Sequence, residues 1–304
     1  MKNNKVLITM GCSFTEGVGC YDYTGVSKKQ IEKYKKSTFD NNFYSNNLDN
    51  FLKGSWGSQL QEMLGVSTFY NLALGGDSNS GQSKRLYDNI DKLDLEDKDV
   101  LVLFLMTYPH RFSFYNQGLP QTVAFNNDPK YPHSNKLVEG YVEMISGEEG
   151  ENYDFNVICE QFYYLRTVTE FCKNRNFKFG WANVQHGCLN IMYPMLSDYQ
   201  KNTLLKNQIN GYSFIEDLLN KENYTDLMSL ICGHPNKKGY RKVAERFFSA
   251  ITLIYPEFLK SKLEEQYNSE SIQYEKIPLN REEHPLINNL DKDIRIYDSK
   301  SFNP

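Results

Sequence analysis

Two side chains far apart in this sequence have the types that nucleophilic catalysis needs. Ser13 stands in Gly11-Cys-Ser-Phe-Thr15, directly after the apolar run Val6-Leu-Ile-Thr-Met10. His234 stands in Cys232-Gly-His-Pro-Asn-Lys-Lys-Gly-Tyr240, at the entrance to a helical stretch. A serine hydroxyl is a weak nucleophile until a base takes its proton, and the imidazole of histidine suits that task near neutral pH. The run before Ser13 is β-branched, continuous and too short for a helix, so it reads as a buried strand. Gly11 lets the chain turn sharply after it. Ser13 is thus delivered to the rim where open α/β sheets bind their ligands. Pro235 fits the first turn of the following helix, which leaves His234 on a loop and not on an apolar helical face.

The other candidates are weaker. Asn183, Gln185 and His186 follow a strand end and could touch a substrate on the same rim. His186 and Cys188 resemble half of a metal site, but no third and fourth ligands stand at metal spacing, so no metal and no cofactor are expected. The glycines Gly11, Gly17 and Gly19 do not form G-x-G-x-x-G and lack the lysine of a phosphate loop. His133 and His284 lie in proline-flanked loops and read as surface residues. Cys12 reads as a small buried filler.

The elements that must position these residues follow from periodicity. Strands are expected at 6–10, 66–70, 100–106 and 177–184. Helices are expected at 55–64, with Ser55 as N-cap and Gly65 as stop, and at 78–93, 154–174 and 235–254. A short helix is expected around 26–34 and a broken helix over 199–220. The alternation of strand and helix implies an α/β fold with a central parallel sheet covered on both faces. Two long segments interrupt it, at about 21–54 and 107–152, and the second, with four prolines, reads as a functional loop. The domain expected is 1–258, followed by a charged C-terminal extension over 259–304.

Composition bounds the partners. The net charge is −4, which gives no reason to expect nucleic acid. No stretch approaches the roughly 20 apolar residues that span a bilayer, and no leader pattern precedes 6–10, so no membrane partner and a cytoplasmic location are expected, with virion association as the other option. The six cysteines have no CxxC spacing and read as free thiols. The 22 tyrosines and 19 phenylalanines could line a ring-binding cleft or pack loops on a scaffold.

Three short blocks resemble the SGNH/GDSL hydrolases. Gly11-Cys-Ser-Phe-Thr is similar to the GDS block, Asn71-x-x-x-x-Gly76-Asp-Ser to the second block, and Gly233-His-Pro-Asn-x-x-Gly-Tyr240 to the end of the fifth. The order of elements agrees over about 5–255. Trp56, Leu60 and Thr107-x-x-x-Arg111 are similar to a subgroup found in phage and bacterial genomes. The resemblance implies a flavodoxin-like three-layer α/β/α sandwich and hydrolysis of an ester or acetyl group. It implies Ser13 as nucleophile, His234 as base, and the backbone N–H groups of Ser13 and Gly76 as oxyanion donors.

The chain departs from the family at two places. Where the third block carries an oxyanion asparagine, this sequence reads Leu105-Met-Thr-Tyr-Pro-His110, so Thr107 falls near that place. A lost donor of this kind costs on the order of 2.7–4 kcal/mol. Asn79, Arg111 and His110 are the candidates to compensate, the last two also as substrate-binding residues. Where the family carries an aspartate before the histidine, this chain has Ile231 and Cys232, and the nearest acid upstream is Asp226, with Glu222 beyond. The resemblance therefore leaves three readings open. One is a serine esterase or deacetylase that takes a small acyl (acetyl) group from a polar small molecule or glycan. Another is a degenerate relative that binds carbohydrate or serves a structural role. The third is an O-acyltransferase.

Overall fold

The computed structural model describes residues 4–20, 51–108, 111–116, 119–124, 153–184, 197–198, 207–213, 227–229 and 234–259. Five parallel strands form the central sheet: β1 (Lys5–Met10), β2 (Thr68–Asn71), β3 (Asp99–Met106), β6 (Lys178–Asn183) and β7 (Gln208–Ser213), in the order β2-β1-β3-β6-β7. Between β3 and β6 an antiparallel hairpin is inserted, β4 (Arg111–Asn116) and β5 (Leu119–Ala124). Renumbered within the sheet, the order is 2-1-3-4-5, the flavodoxin-like arrangement, and its switch point lies between β1 and β3.

Alternation along β1 and β3 builds two cores. Leu7, Leu101, Leu103 and Leu105 point to one face, where Trp56, Leu60 and Leu64 of α2 (Trp56–Leu64) meet Tyr240, Val243 and Phe247 of α5 (Lys237–Ile254). Val6, Ile8, Met10, Val102, Phe104 and Met106 point to the other. There they meet Leu86 of α3 (Asn79–Asn89) and Leu165, Val168 and Cys172 of α4 (Tyr153–Asn174). Apart from Thr9 and the strand-opening Lys5 and Asp99, β1 and β3 are apolar throughout, as burial on both faces demands. The first core is fixed by the Trp56 and Phe247 rings, stacked 4.2 Å apart at 6°.

The helix ends follow the sequence signals closely. Ser55 caps α2 by accepting from the Ser58 N–H, and Gly65 closes it with φ +65°. Ser78 caps α3 by accepting from the Gly81 N–H. Four expectations need correction. The expected helix over 78–93 continues from α3 only as a 3-10 turn, Ile90–Lys92. The broken helix over 199–220 is replaced in part by β7, a strand of mostly polar residues with no strong pattern. It forms because β6 offers an edge, and Gly180 leaves room for the Ile209 side chain. The segment 107–152, read as a loop, contains the β4–β5 hairpin. Pro235 does not occupy the first turn of α5; it bridges to Met228, and Asn236 caps the helix instead. The helix expected at 26–34 and the extension from 260 onward lie outside the described residues. No helix among the described residues is long and apolar enough to cross a membrane.

Candidate active site

All five strands of the parallel sheet end on one rim, and the chemistry-bearing residues follow those ends. β1 stops at Met10, and Gly11 turns the chain. A Cβ on Gly11 would stand 1.9 Å from Thr15 Oγ1 and 3.1 Å from the Leu105 carbonyl oxygen, so only glycine lets the turn close. Cys12 then begins a one-turn helix, α1 (Ser13–Glu16), with Ser13 at its first position. An N–H at that position has no intrahelical acceptor and is left for another partner. Gly17 ends α1 with φ +99°.

His234 is carried to Ser13 from the other end of the chain. Its Nε2 lies 2.7 Å from Ser13 Oγ, across a sequence separation of 221 residues. Several bonds fix the loop that holds it. The Ser229 N–H donates to the His234 carbonyl at 2.8 Å, and the Asn236 N–H donates to the Leu227 carbonyl at 2.8 Å. Asn236 Oδ1 accepts from the Lys238 and Gly239 N–H groups and so starts α5. A Cβ on Gly239 would meet the Leu227 carbonyl oxygen at 2.3 Å, which explains the glycine three residues after the cap. Tyr240 completes the link: its hydroxyl donates to the Val18 carbonyl at 2.7 Å and ties α5 to the loop behind Ser13.

The electrostatics of His234 are unusual. Burial of the ring nitrogens, and then the positive charge of Arg111, lower the His234 pKa from 6.5 to about 4. The imidazole is therefore neutral at pH 7. With Nε2 facing the serine proton, Nδ1 must carry the ring proton, and this buried N–H has no hydrogen-bond partner among the described residues. The sequence offered Asp226 for that place, but Asp226 lies outside the described residues. Phe14 leans on the ring, with centroids 4.7 Å apart.

The oxyanion candidates fall on neighbouring strand ends. The Leu72 N–H donates to the Thr9 carbonyl and the Leu74 N–H to the Gly11 carbonyl, so the second block runs alongside the nucleophile turn. Gly76, with φ +80°, lies within that block. Asp77 stiffens the turn: one carboxylate oxygen accepts from the Ser78 N–H and the other from Arg85 Nη2, each at 2.9 Å. Thr107 directly follows β3, whose register with β1 pairs Phe104 with Met10 at the end of the ladder.

Asn79 corrects an expectation. Its Oδ1 accepts from the Thr107 N–H at 2.8 Å, and its Nδ2 donates to the Thr107 carbonyl at 3.2 Å and to Gln161 Oε1. Both amide protons are used, so Asn79 has none to give an oxyanion. It clamps the Thr107 backbone instead. Arg111 Nη1 donates to the Thr107 hydroxyl oxygen at 3.2 Å. The hydroxyl can accept there and still donate elsewhere. Asn183 ends β6 opposite Met106 and is almost wholly buried. His110 and His186 lie outside the described residues. Among the described residues no group of three or more His, Cys, Asp or Glu could hold a metal ion.

Sequence reasoning gave no structural role to three residues that build this site. Gly19 has φ +98°, and a Cβ there would stand 2.7 Å from the Pro235 carbonyl oxygen and 3.0 Å from His234 Cβ. Its spacing behind Gly17 was visible, but nothing local says what it packs against. Asn71 Nδ2 donates to the Thr15 carbonyl at 3.1 Å, which locks the second block to α1. Gln161 on α4 holds Asn79, and no pattern in the sequence marks it.

No protein-family model matches this sequence, and no curated protein does. Solved structures do. Those it resembles include an esterase and a GDSL-type lipolytic protein. TesA matches at 12% identity with a TM-score of 0.46, covering 82% of this chain and 99% of that one. Esterase EstA from Pseudoalteromonas sp., in a structure inhibited by monoethylphosphonate, matches at 12% identity and TM-score 0.43, covering 82% and 97%. A protein assigned to the G-D-S-L lipolytic family from Desulfitobacterium hafniense DCB-2 matches at 13% and 0.42, covering 81% and 99%.

Proposed function

We propose that this chain is a serine ester hydrolase of the SGNH/GDSL type that takes a small acyl group, acetyl in the simplest case, from a polar alcohol such as a carbohydrate. The observation that carries the proposal is the 2.7 Å contact between Ser13 Oγ and His234 Nε2 at the sheet's carboxyl rim. That is the distance a general base needs. Ser13 Oγ attacks the acyl carbon while Nε2 takes its proton. The N–H groups of Ser13 and Gly76 and the hydroxyl of Thr107 hold the oxyanion. His234 returns the proton to the leaving alcohol, and water then releases the acyl group from Ser13 by the same steps in reverse order.

The test is Ser13→Ala, assayed on p-nitrophenyl acetate and on acetylated sugars beside a fluorophosphonate label. Turnover should fall by at least a thousandfold, since removing a triad member leaves only what the oxyanion hole and binding supply. Unchanged turnover would refute the proposal.

The buried Nδ1–H of His234, without a partner among the described residues, favours a second reading, a binding protein on a degenerate hydrolase scaffold. A fluorophosphonate that fails to label Ser13, together with glycan binding, would select it. If a carboxylate does meet Nδ1, Asp226 is the residue the sequence offers for it, and Asp226→Asn tests it directly. A fall in kcat with a changed pH profile assigns the role, and an unchanged profile removes it.

A further inference from the structure

Arg111 is the first residue of β4 and is held close to the nucleophile. Its N–H donates to the Tyr108 carbonyl at 3.2 Å, so a tight turn brings it back over the end of β3. Its guanidinium lies over the Tyr108 ring, 5.4 Å from the centroid. Tyr108 meets Phe14 edge-on at 6.3 Å, and Phe14 leans on His234. The cation and the base thus stand at two ends of one row, with Tyr108 and Phe14 between them and Ser13 next to Phe14 in the chain.

The environment of this guanidinium differs from those of Arg85 and Arg175, which are paired with Asp77 and Asp91. Arg111 has no carboxylate partner among the described residues. Among the described residues, one of its five N–H donors has an acceptor, Thr107 Oγ1. A partly buried cation without a counter-ion is costly, and here it also depresses the basicity of His234. Both costs are offset if an anion occupies the site during turnover. The fork of a guanidinium fits a carboxylate or a phosphate with two parallel hydrogen bonds.

We infer that Arg111 is the anion-binding residue of this crevice and selects ester substrates that carry a carboxylate or phosphate beside the acyl group. This rests on the hydrolase reading above and narrows its substrate class.

The experiment compares three esters built on one frame: phenyl acetate, 4-acetoxybenzoate and 4-acetoxyphenyl phosphate. Arg111→Gln should cut the ratio of kcat/KM on the charged esters to that on phenyl acetate by tenfold or more, mainly through KM. Arg111→Lys should restore part of it, and it also serves as the comparison if the glutamine variant does not fold. Dependence in only one of the charged esters would say which anion the site takes. An unchanged ratio, whether or not overall activity falls, would overturn the inference.

A second measurement does not depend on turnover. In Ser13→Ala, calorimetric binding of a charged ester should be lost when Arg111→Gln is added. If that loss is seen in a protein whose Ser13 is never labelled by fluorophosphonate, the hydrolase reading fails and the anion site stands. If Ser13 is labelled and the binding is unaltered, the anion site fails alone.

Discussion

The depressed basicity of His234 makes a quantitative prediction about pH. A lowering from 6.5 to about 4 means that protonating this ring in the folded protein costs roughly 3 kcal/mol more than in the unfolded chain. A base must be neutral to accept the serine proton. The acidic limb of kcat/KM should therefore lie near pH 4, and activity should stay level from about pH 5.5 up to neutrality. The sign for stability follows from the same numbers. The folded value is below the unfolded one, so the unfolded chain binds more protons as pH falls below 6.5. This group's contribution to stability is full above that pH and is lost progressively as pH falls toward about 4, by at most about 3 kcal/mol. The rate limb would be read in short assays on phenyl acetate, and the ring by the titration of its carbon-bound protons in NMR. Arg111→Gln should move both upward, because the Arg111 charge is one of the two causes of the lowering. A limb between pH 6 and 7 in the unmodified protein would refute the reasoning. It would mean that a carboxylate meets Nδ1 and holds the imidazolium.

Two further substitutions test the frame around the site. Gly19→Ala combines a left-handed backbone with a 2.7 Å approach to the Pro235 carbonyl, so it should displace the His234 loop. Labelling of Ser13 by fluorophosphonate should slow at least tenfold while the far-UV circular dichroism stays unchanged, and a wild-type labelling rate would show that the loop is held by other contacts. Asn79→Ala leaves the buried Thr107 N–H without its acceptor, at a cost of about 1–3 kcal/mol, so thermal unfolding should come several degrees lower. Its kcat on phenyl acetate should fall as well, and a full kcat would remove Thr107 from the oxyanion site.

Burial on both faces made β1 and β3 legible, because a strand with no polar face reads as a continuous apolar run. Helix caps were legible for a similar reason: Ser55, Gly65 and Ser78 act on N–H and carbonyl groups only a few residues away. Ser13 and His234 could be picked out by residue type and by the short turns that carry them. β7 was not legible, since Gln208–Ser213 has only Ile209 buried among its described side chains and forms by borrowing the edge of β6. The same holds for Asn79. As a polar residue near the rim it read as an oxyanion donor, but its amide is spent on Thr107, which lies 28 positions away.

The sequence alone determined four of the five sheet strands, the caps at Ser55, Gly65 and Ser78 and the two candidate side chains Ser13 and His234, because each depends on neighbours within a turn or two of chain. The tertiary structure decided that those two side chains meet and that Asn79 serves Thr107. It also placed Arg111, with no carboxylate partner among the described residues, beside a neutral histidine. Those facts depend on which strand lies next to which and on how much water is excluded between them, and neither quantity is a property of any short stretch of residues.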